Sequence, residues 1–261
     1  MSTDQASPPR AARISRSAPS DRGRTAEPDA RPALPRRRSR STGARLDPQA
    51  RRRQILDAAI AYFAEAGFGV QTRELTRRIG VSQPLLYRYF PSKHDLIEAV
   101  FEEVFLSRLS DQWVEQLGER SVPLRERLMR FYAQYAEATY RPEWIRIYMY
   151  AGLAGDRMNR DYLALVKRKL LDVMCREFRE SFLGDGQRER AGAVSAREIE
   201  LVWNLHGSMF YWAVRRNIFG ERTGLSFETR TADAIDLFIA GAQAHYASIV
   251  AASPSPRKPP R

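Results

Sequence analysis

In "VSQPLLYRYFPSKHDL", residues 81–96, the groups able to engage a polyanion recur at helical spacing. Leu86 and Phe90, four apart, turn to one side of a short helix, so Gln83, Pro84, Tyr87 and Arg88 share the other. That open face suits a major groove. The Gln83 amide can bond an adenine edge in two places, and Arg88 can address guanine or a phosphate. Tyr87 and Tyr89 can donate hydroxyls to phosphates, which fixes register without reading sequence. Thr72 and Ser92 each stand at a helix start, where free backbone N–H groups suit phosphate, and Lys93 adds charge in the next turn.

The same inspection gives no constellation for catalysis. His94, His206 and His245 are far apart and form no metal-ligand spacing with Cys175. "GDGQRERAG" has neither a preceding strand nor the lysine of a phosphate loop, and Glu102–Glu103 belong to a solvated helix face. The expectation is a protein that is no enzyme, with no catalytic residue, no metal and no cofactor.

The elements that position these residues are helices. No segment keeps the alternation of a strand, and nine helical segments are predicted. Asp47 caps the first, with Pro48 at its first position, an apolar stripe of Ile55, Ala59 and Phe63, and Gly67 at its close. A second follows Thr72, with Leu75 and Ile79 inward and Gly80 at the turn. Ser82 caps the third, Gln83 to Phe90, where Pro84 falls in the tolerant first turn. Pro91 ends it, and Ser92 with Asp95 restarts the chain as a fourth helix expected to reach about Leu117. Later helices are predicted from Pro123 to Pro142, from Trp144 to Leu153, from Met158 to Phe182, from a Ser195–Glu198 capping box to near Gly220, and from Glu228 to Val250. "GDGQRERAG" is predicted to be a loop.

Charge is partitioned along the chain. Of the net +12, residues 48–95 carry +4 while residues 96–250 carry −1. A basic N-terminal third and a neutral remainder imply a polyanion partner at one end. Residues 1–46, rich in Arg, Pro and Ser, and residues 251–261 hold too little apolar surface to offset the entropy of ordering and are predicted to be disordered tails. The single Cys175 excludes an internal disulfide. No signal-peptide core or bilayer-long apolar run is expected, so a cytoplasmic location without membrane contact is predicted.

"RRRQILDAAIAYFAEAGF" followed by "QTRELTRRIGVSQPLLYRYFPSKHDLIEAVF" resembles the N-terminal domain of TetR-family transcriptional regulators, over about Arg52 to Val104. The resemblance implies an all-α fold: a three-helix helix-turn-helix domain at residues 47–95, then a helical ligand-binding and dimerisation domain at 96–250. It implies phosphate contacts at Thr72, Tyr87, Tyr89 and Lys93, and base contacts at Arg73, Gln83, Pro84 and Leu85; Ser82 and Arg88 complete the expected interface. Four residues depart from the family pattern. Leu85 replaces a smaller or polar residue and could touch a thymine methyl or turn inward. Thr76 stands where alanine is usual, and Arg78–Ile79 replace a small pair.

The family likeness also implies a homodimer on a pseudo-palindromic operator, repressing transcription until a ligand releases it. Two C-terminal stripes suit a four-helix interface: Trp203, His206, Gly207, Phe210 and Val214, and Phe238, Gly241, Ala242 and His245. The middle helices are rich in aromatics, and Tyr132, Tyr135, Trp144, Tyr148 and Met174 are the expected lining of a pocket for a small apolar or aromatic effector. A DNA-bound structural or cell-organisation protein could use the same head without controlling a promoter.

Overall fold

Asp47 opens α1 (Pro48–Ala66): its carboxylate accepts from the Gln49 and Ala50 amides at 3.1 and 3.3 Å, and Gly67 closes the helix at φ 74°. The computed structural model describes residues 47–155, 157–222 and 224–252. The N-terminal tail and all but the first two residues of the C-terminal one lie outside the described residues. After α1 come α2 (Thr72–Ile79), α3 (Gln83–Tyr89), α4 (Lys93–Val104), α5 (Asp111–Leu117), α6 (Leu124–Thr139) and α7 (Pro142–Leu153). Then follow α8 (Arg157–Val166), α9 (Asp172–Phe182), α10 (Asp185–Arg190), α11 (Ala196–Asn217) and α12 (Phe227–Ala251). No strand occurs among the described residues.

Three helices exceed the nine expected, each for a local reason. The predicted fourth helix breaks after Val104, because Phe105 is drawn wholly into the core against Trp144 and Tyr162, with ring centroids at 5.0 and 5.2 Å. Ser107 then bonds back to the Glu103 carbonyl, and Ser110 caps α5 through the Gln112 amide. The predicted helix over 158–182 contains a π-turn at Lys167–Leu171, which lets the adjacent Leu170 and Leu171 both be buried. The predicted loop at residue 184 instead folds as α10, since Gln187 accepts from the Gly184 amide and Arg188 donates to the Glu180 and Leu183 carbonyls.

The body is held by an aromatic core and two buried carboxylates. Glu177 on α9 accepts from Arg127 at 2.9 Å and Arg120 at 3.0 Å. Glu198, fully buried at the start of α11, takes Arg179 at 2.7 Å, the Ser195 amide at 2.8 Å and the Tyr246 hydroxyl at 3.0 Å. Burial alone would raise the Glu198 carboxyl, but Arg179 and Ser195 outweigh it and hold it below the usual carboxylate range. One residue thus closes the predicted capping box and ties α9, α11 and α12 together.

α12 departs from the expectation of no bilayer-long apolar run: by length and composition it would pass as a membrane span, with mean hydropathy 1.2 over eighteen residues. Only 17% of that window is buried, and Leu237 is 77% exposed. For a folded chain this is an unusually large exposed apolar face.

Candidate nucleic-acid interface

The interface rests on α1, α2, α3 and the first turn of α4. Ile55, Ala59 and Phe63 of α1 are buried together with Leu75, Leu86 and Phe90, which fixes the two short helices against the first. Between them Gly80 adopts φ 66°, the left-handed conformation glycine supplies without steric cost, and the Val81 amide returns to the Thr76 carbonyl at 3.0 Å. Ser82 then caps α3 through the Leu85 amide, and the second proline-marked junction closes as Ser92 and Asp95 exchange hydrogen bonds at 2.7 and 3.1 Å.

With α3 seated in this way, Gln83, Pro84, Tyr87 and Arg88 are all exposed on one side. Tyr87 does not float: its hydroxyl meets the Thr72 hydroxyl at 2.9 Å across the turn, so two expected phosphate contacts form one unit. Tyr89 is half-buried with its ring against the core, and Lys93 is half-buried at the start of α4. Leu85 is half-buried and lies outside the core cluster, which leaves its side chain at the edge of the open face.

The charges on this head are sorted by position. Arg77 pairs with Glu74 at 2.7 Å, and Arg78 pairs with Glu65 at 2.6 Å while lying over the Tyr62 ring at 4.5 Å. Side-chain hydrogen bonds from these arginines hold Glu74 and Glu65 below the usual carboxylate range. Arg73, Arg88 and Lys93, the cations beside the open face, have no carboxylate partner among the described residues. An unpaired cation keeps its full attraction for phosphate. The departures in α2 also find a physical account here. Thr76 is buried with its hydroxyl bonded to the Arg73 carbonyl at 2.9 Å, and Arg78 reaches back across α1.

This geometry coincides with a match, over residues 55–100, to the family model for bacterial regulatory proteins of the tetR family. Residues 55–100 thus carry the DNA-binding head typical of that family. The chain is 28% identical over 88 residues to the tetracycline repressor protein class D of Escherichia coli, covering 31% of this chain and 40% of that one. It is 46% identical over 55 residues to the HTH-type transcriptional repressor KstR of Rhodococcus jostii, covering 20% and 26%. The aligned part thus spans well under two thirds of these relatives. The fold as a whole is similar to that of a TetR-like transcriptional regulator from Rhodococcus sp. RHA1, at 20% identity and a TM-score of 0.57, covering 76% of this chain and all of that one.

Beyond this TetR-like head the body residues fall into two groups. Tyr132, Tyr135, Trp144 and Met174 are buried and Tyr148 is half-buried, all within the hydrophobic core. Clefts of about 840 Å³, beside α10 and the start of α11, and about 660 Å³, between α4 and α8, include none of these five. Of the expected dimer stripes, His206 and Val214 lie inside the protomer. His206 packs at 5.9 Å on Tyr132 and 5.0 Å on Tyr135, so α11 turns that side toward α6. Trp203, Gly207, Phe210, Phe238 and Ala242 are half-buried, and Gly241 and His245 are exposed. Phe238, Gly241, Ala242 and Ile249, on the expected side of α12, line an apolar groove whose further walls, Leu201 and the exposed Leu237 at its lip, spacing does not point to. The exposure of α12 is the signal that finds it.

Proposed function

We propose that this chain is a ligand-responsive transcriptional repressor that binds an inverted-repeat operator as a homodimer. The observation that carries the DNA reading is the open face of α3, where Gln83, Tyr87 and Arg88 stand exposed beside unpaired Arg73 and Lys93. Gln83 and Arg73 address base edges, Pro84 and Leu85 offer apolar contact, and Thr72, Tyr87, Tyr89 and Lys93 hold phosphates. One helix this short contacts few bases, so two copies are needed for a useful site. The uncovered apolar face of α12, joined by the exposed part of α11, supports the pairing.

Ligand response follows from what touches both the aromatic body and the head. Phe105 at the end of α4 packs on Trp144 and Tyr162, and Lys93 begins the same helix. Trp144 and Tyr148 lie on α7, whose Arg146 and Tyr150 donate to the Ala64 and Glu65 carbonyls at the end of α1. A ligand that repacks the aromatic body shifts α4 and α7 together, and so the separation of two paired heads.

The test is selection of bound fragments from sheared genomic DNA, with sedimentation of the purified protein. A few promoter-proximal sites with an inverted repeat, bound by a dimer, support the proposal. A monomer at micromolar concentration, or many dispersed sites without promoter preference, overturns it; the second outcome would indicate a DNA-organising protein.

A further inference from the structure

The body contains a set of polar atoms that its own fold leaves unmatched. Tyr132, Tyr140, Trp144 and His206 are each more than nine-tenths buried. The hydroxyls of the two tyrosines, the Trp144 Nε1 and the His206 Nδ1 have no hydrogen-bond partner. They are neighbours: Tyr132 and His206 rings lie 5.9 Å apart, Tyr135 touches His206 at 5.0 Å and Tyr140 at 5.6 Å, and Tyr140 reaches Trp144 at 6.5 Å. The nearest satisfied pair, Tyr135 and Tyr162, meet at a long 3.3 Å. Buried polar groups in folded proteins are nearly always paired, and several unpaired ones in a single aromatic mass mark a place where something else completes them.

From this cluster of unmatched groups, and resting on the ligand-responsive reading above, we infer that the effector is an uncharged, flat ring compound bearing a carbonyl or ether oxygen, bound among Tyr132, Tyr140, Trp144 and His206. The rings supply planar apolar walls. The indole N–H donates only, so its partner must be an acceptor, and the phenols can donate to the same oxygen or to a second one. The site disfavours charge of either sign. Burial pushes the Tyr135 phenol up to about 12 and Tyr132 and Tyr140 further up, while it lowers His206 to about 4. No carboxylate, lysine or arginine belongs to the set. Arg230, whose charge is felt at Tyr140, is turned to the Ser208 carbonyl and the Met209 sulfur.

The experiment uses the full chain and two matched trios: tetralin, tetralone and tetralin carboxylate, and fluorene, fluorenone and fluorene carboxylate. Affinity is measured by calorimetry and thermal shift, and DNA release on an operator from the selection above. A ketone should bind about tenfold tighter than its hydrocarbon, the weight of one or two hydrogen bonds, and tighter than its carboxylate. Tyr132→Phe and Tyr140→Phe should each raise the melting temperature of the ligand-free protein by about 2–4 °C, because an unmatched buried hydroxyl is removed, and should weaken the ketone. A carboxylate that binds better than its ketone, no ketone binding in either ring size, or a fall in melting temperature for both variants overturns the inference. Ketone binding that leaves DNA affinity unchanged supports the ligand chemistry while sinking the regulatory reading. DNA release by the carboxylate alone does the reverse.

Discussion

Two groups of tyrosines in this molecule have inverted circumstances. Tyr87, on the open face of α3, is 39% exposed and could bond water, yet it is held by Thr72 at 2.9 Å. Tyr132 and Tyr140, shut inside the body, have hydroxyls with no partner at all. Stability alone would favour the opposite arrangement, since an unmade bond costs most where water is excluded. The head fixes the pose of groups that meet something outside. The body leaves two buried hydroxyls unmatched.

The sharpest way to break this comparison is to make the body's satisfied polar groups unsatisfied. Glu198 is as buried as Tyr132, but every neighbour answers it: Arg179, Ser195 and Tyr246. Glu198→Ala should lose about 3–5 kcal/mol in urea unfolding, because Arg179 is left without its counter-charge. A loss below about 1 kcal/mol would show that burial in the body carries no penalty of the kind invoked for the tyrosines. Because the Glu198 carboxyl is held low when folded, its contribution is full above the ordinary carboxylate range and disappears as pH falls through the lowered folded value.

His206 gives the next largest effect and a pH signature of its own. Burial lowers its pKa from 6.5 to about 4, so the unfolded chain takes up a proton before the folded one does. Stability from this residue is complete above pH 6.5 and is lost as pH falls toward 4, by about 3 kcal/mol in all. His206→Phe should flatten the stability profile between these values. An unchanged slope would place a partner on the Nδ1 atom.

The head was almost wholly legible in the sequence and the body only in outline. Asp47, Ser82, Ser92, Gly67 and Gly80 are caps and stops that act through the backbone within three or four residues, and each does what its type dictates. Leu86 and Phe90 have a single small core to face, so their spacing alone decides which side of α3 is open. In the body, α11 has apolar or aromatic residues on several sides, and periodicity cannot tell which neighbour each side meets. Spacing therefore places His206 and Val214 outward, whereas both are buried in the chain's own core. The break at Phe105 and the π-turn at Lys167–Leu171 are likewise set by tertiary packing, with no local stop signal in the sequence.

Substitutions on the open face sharpen the other side of the comparison without touching stability. Gln83→Ala should relax preference at one base position by about 1–3 kcal/mol. Lys93→Ala should weaken every sequence alike and reduce the salt slope of binding by about one. Tyr87→Phe removes the hydroxyl that Thr72 shares, and should behave like Lys93→Ala, with a smaller loss. Competition between operator variants across a salt series distinguishes these outcomes. An equal loss of specificity from all three would refute the division into phosphate and base contacts.

The smallest effect concerns the turn that sets α3 in place. Gly80 stands at φ 66° with open space where a Cβ would be, so Gly80→Ala meets backbone strain and no collision. The cost should be about 1 kcal/mol, or roughly 2–4 °C in melting temperature, and Gly80→Asn should recover part of it because asparagine tolerates this conformation. DNA affinity at a temperature where both proteins are folded should change little, since the Val81–Thr76 bond and the packing of Leu75 and Leu86 still fix the angle between α2 and α3. A large loss of DNA binding with little loss of stability would mean that the turn conformation itself sets the pose of Gln83 and Tyr87. The head would then depend on one backbone torsion as closely as the body depends on Glu198.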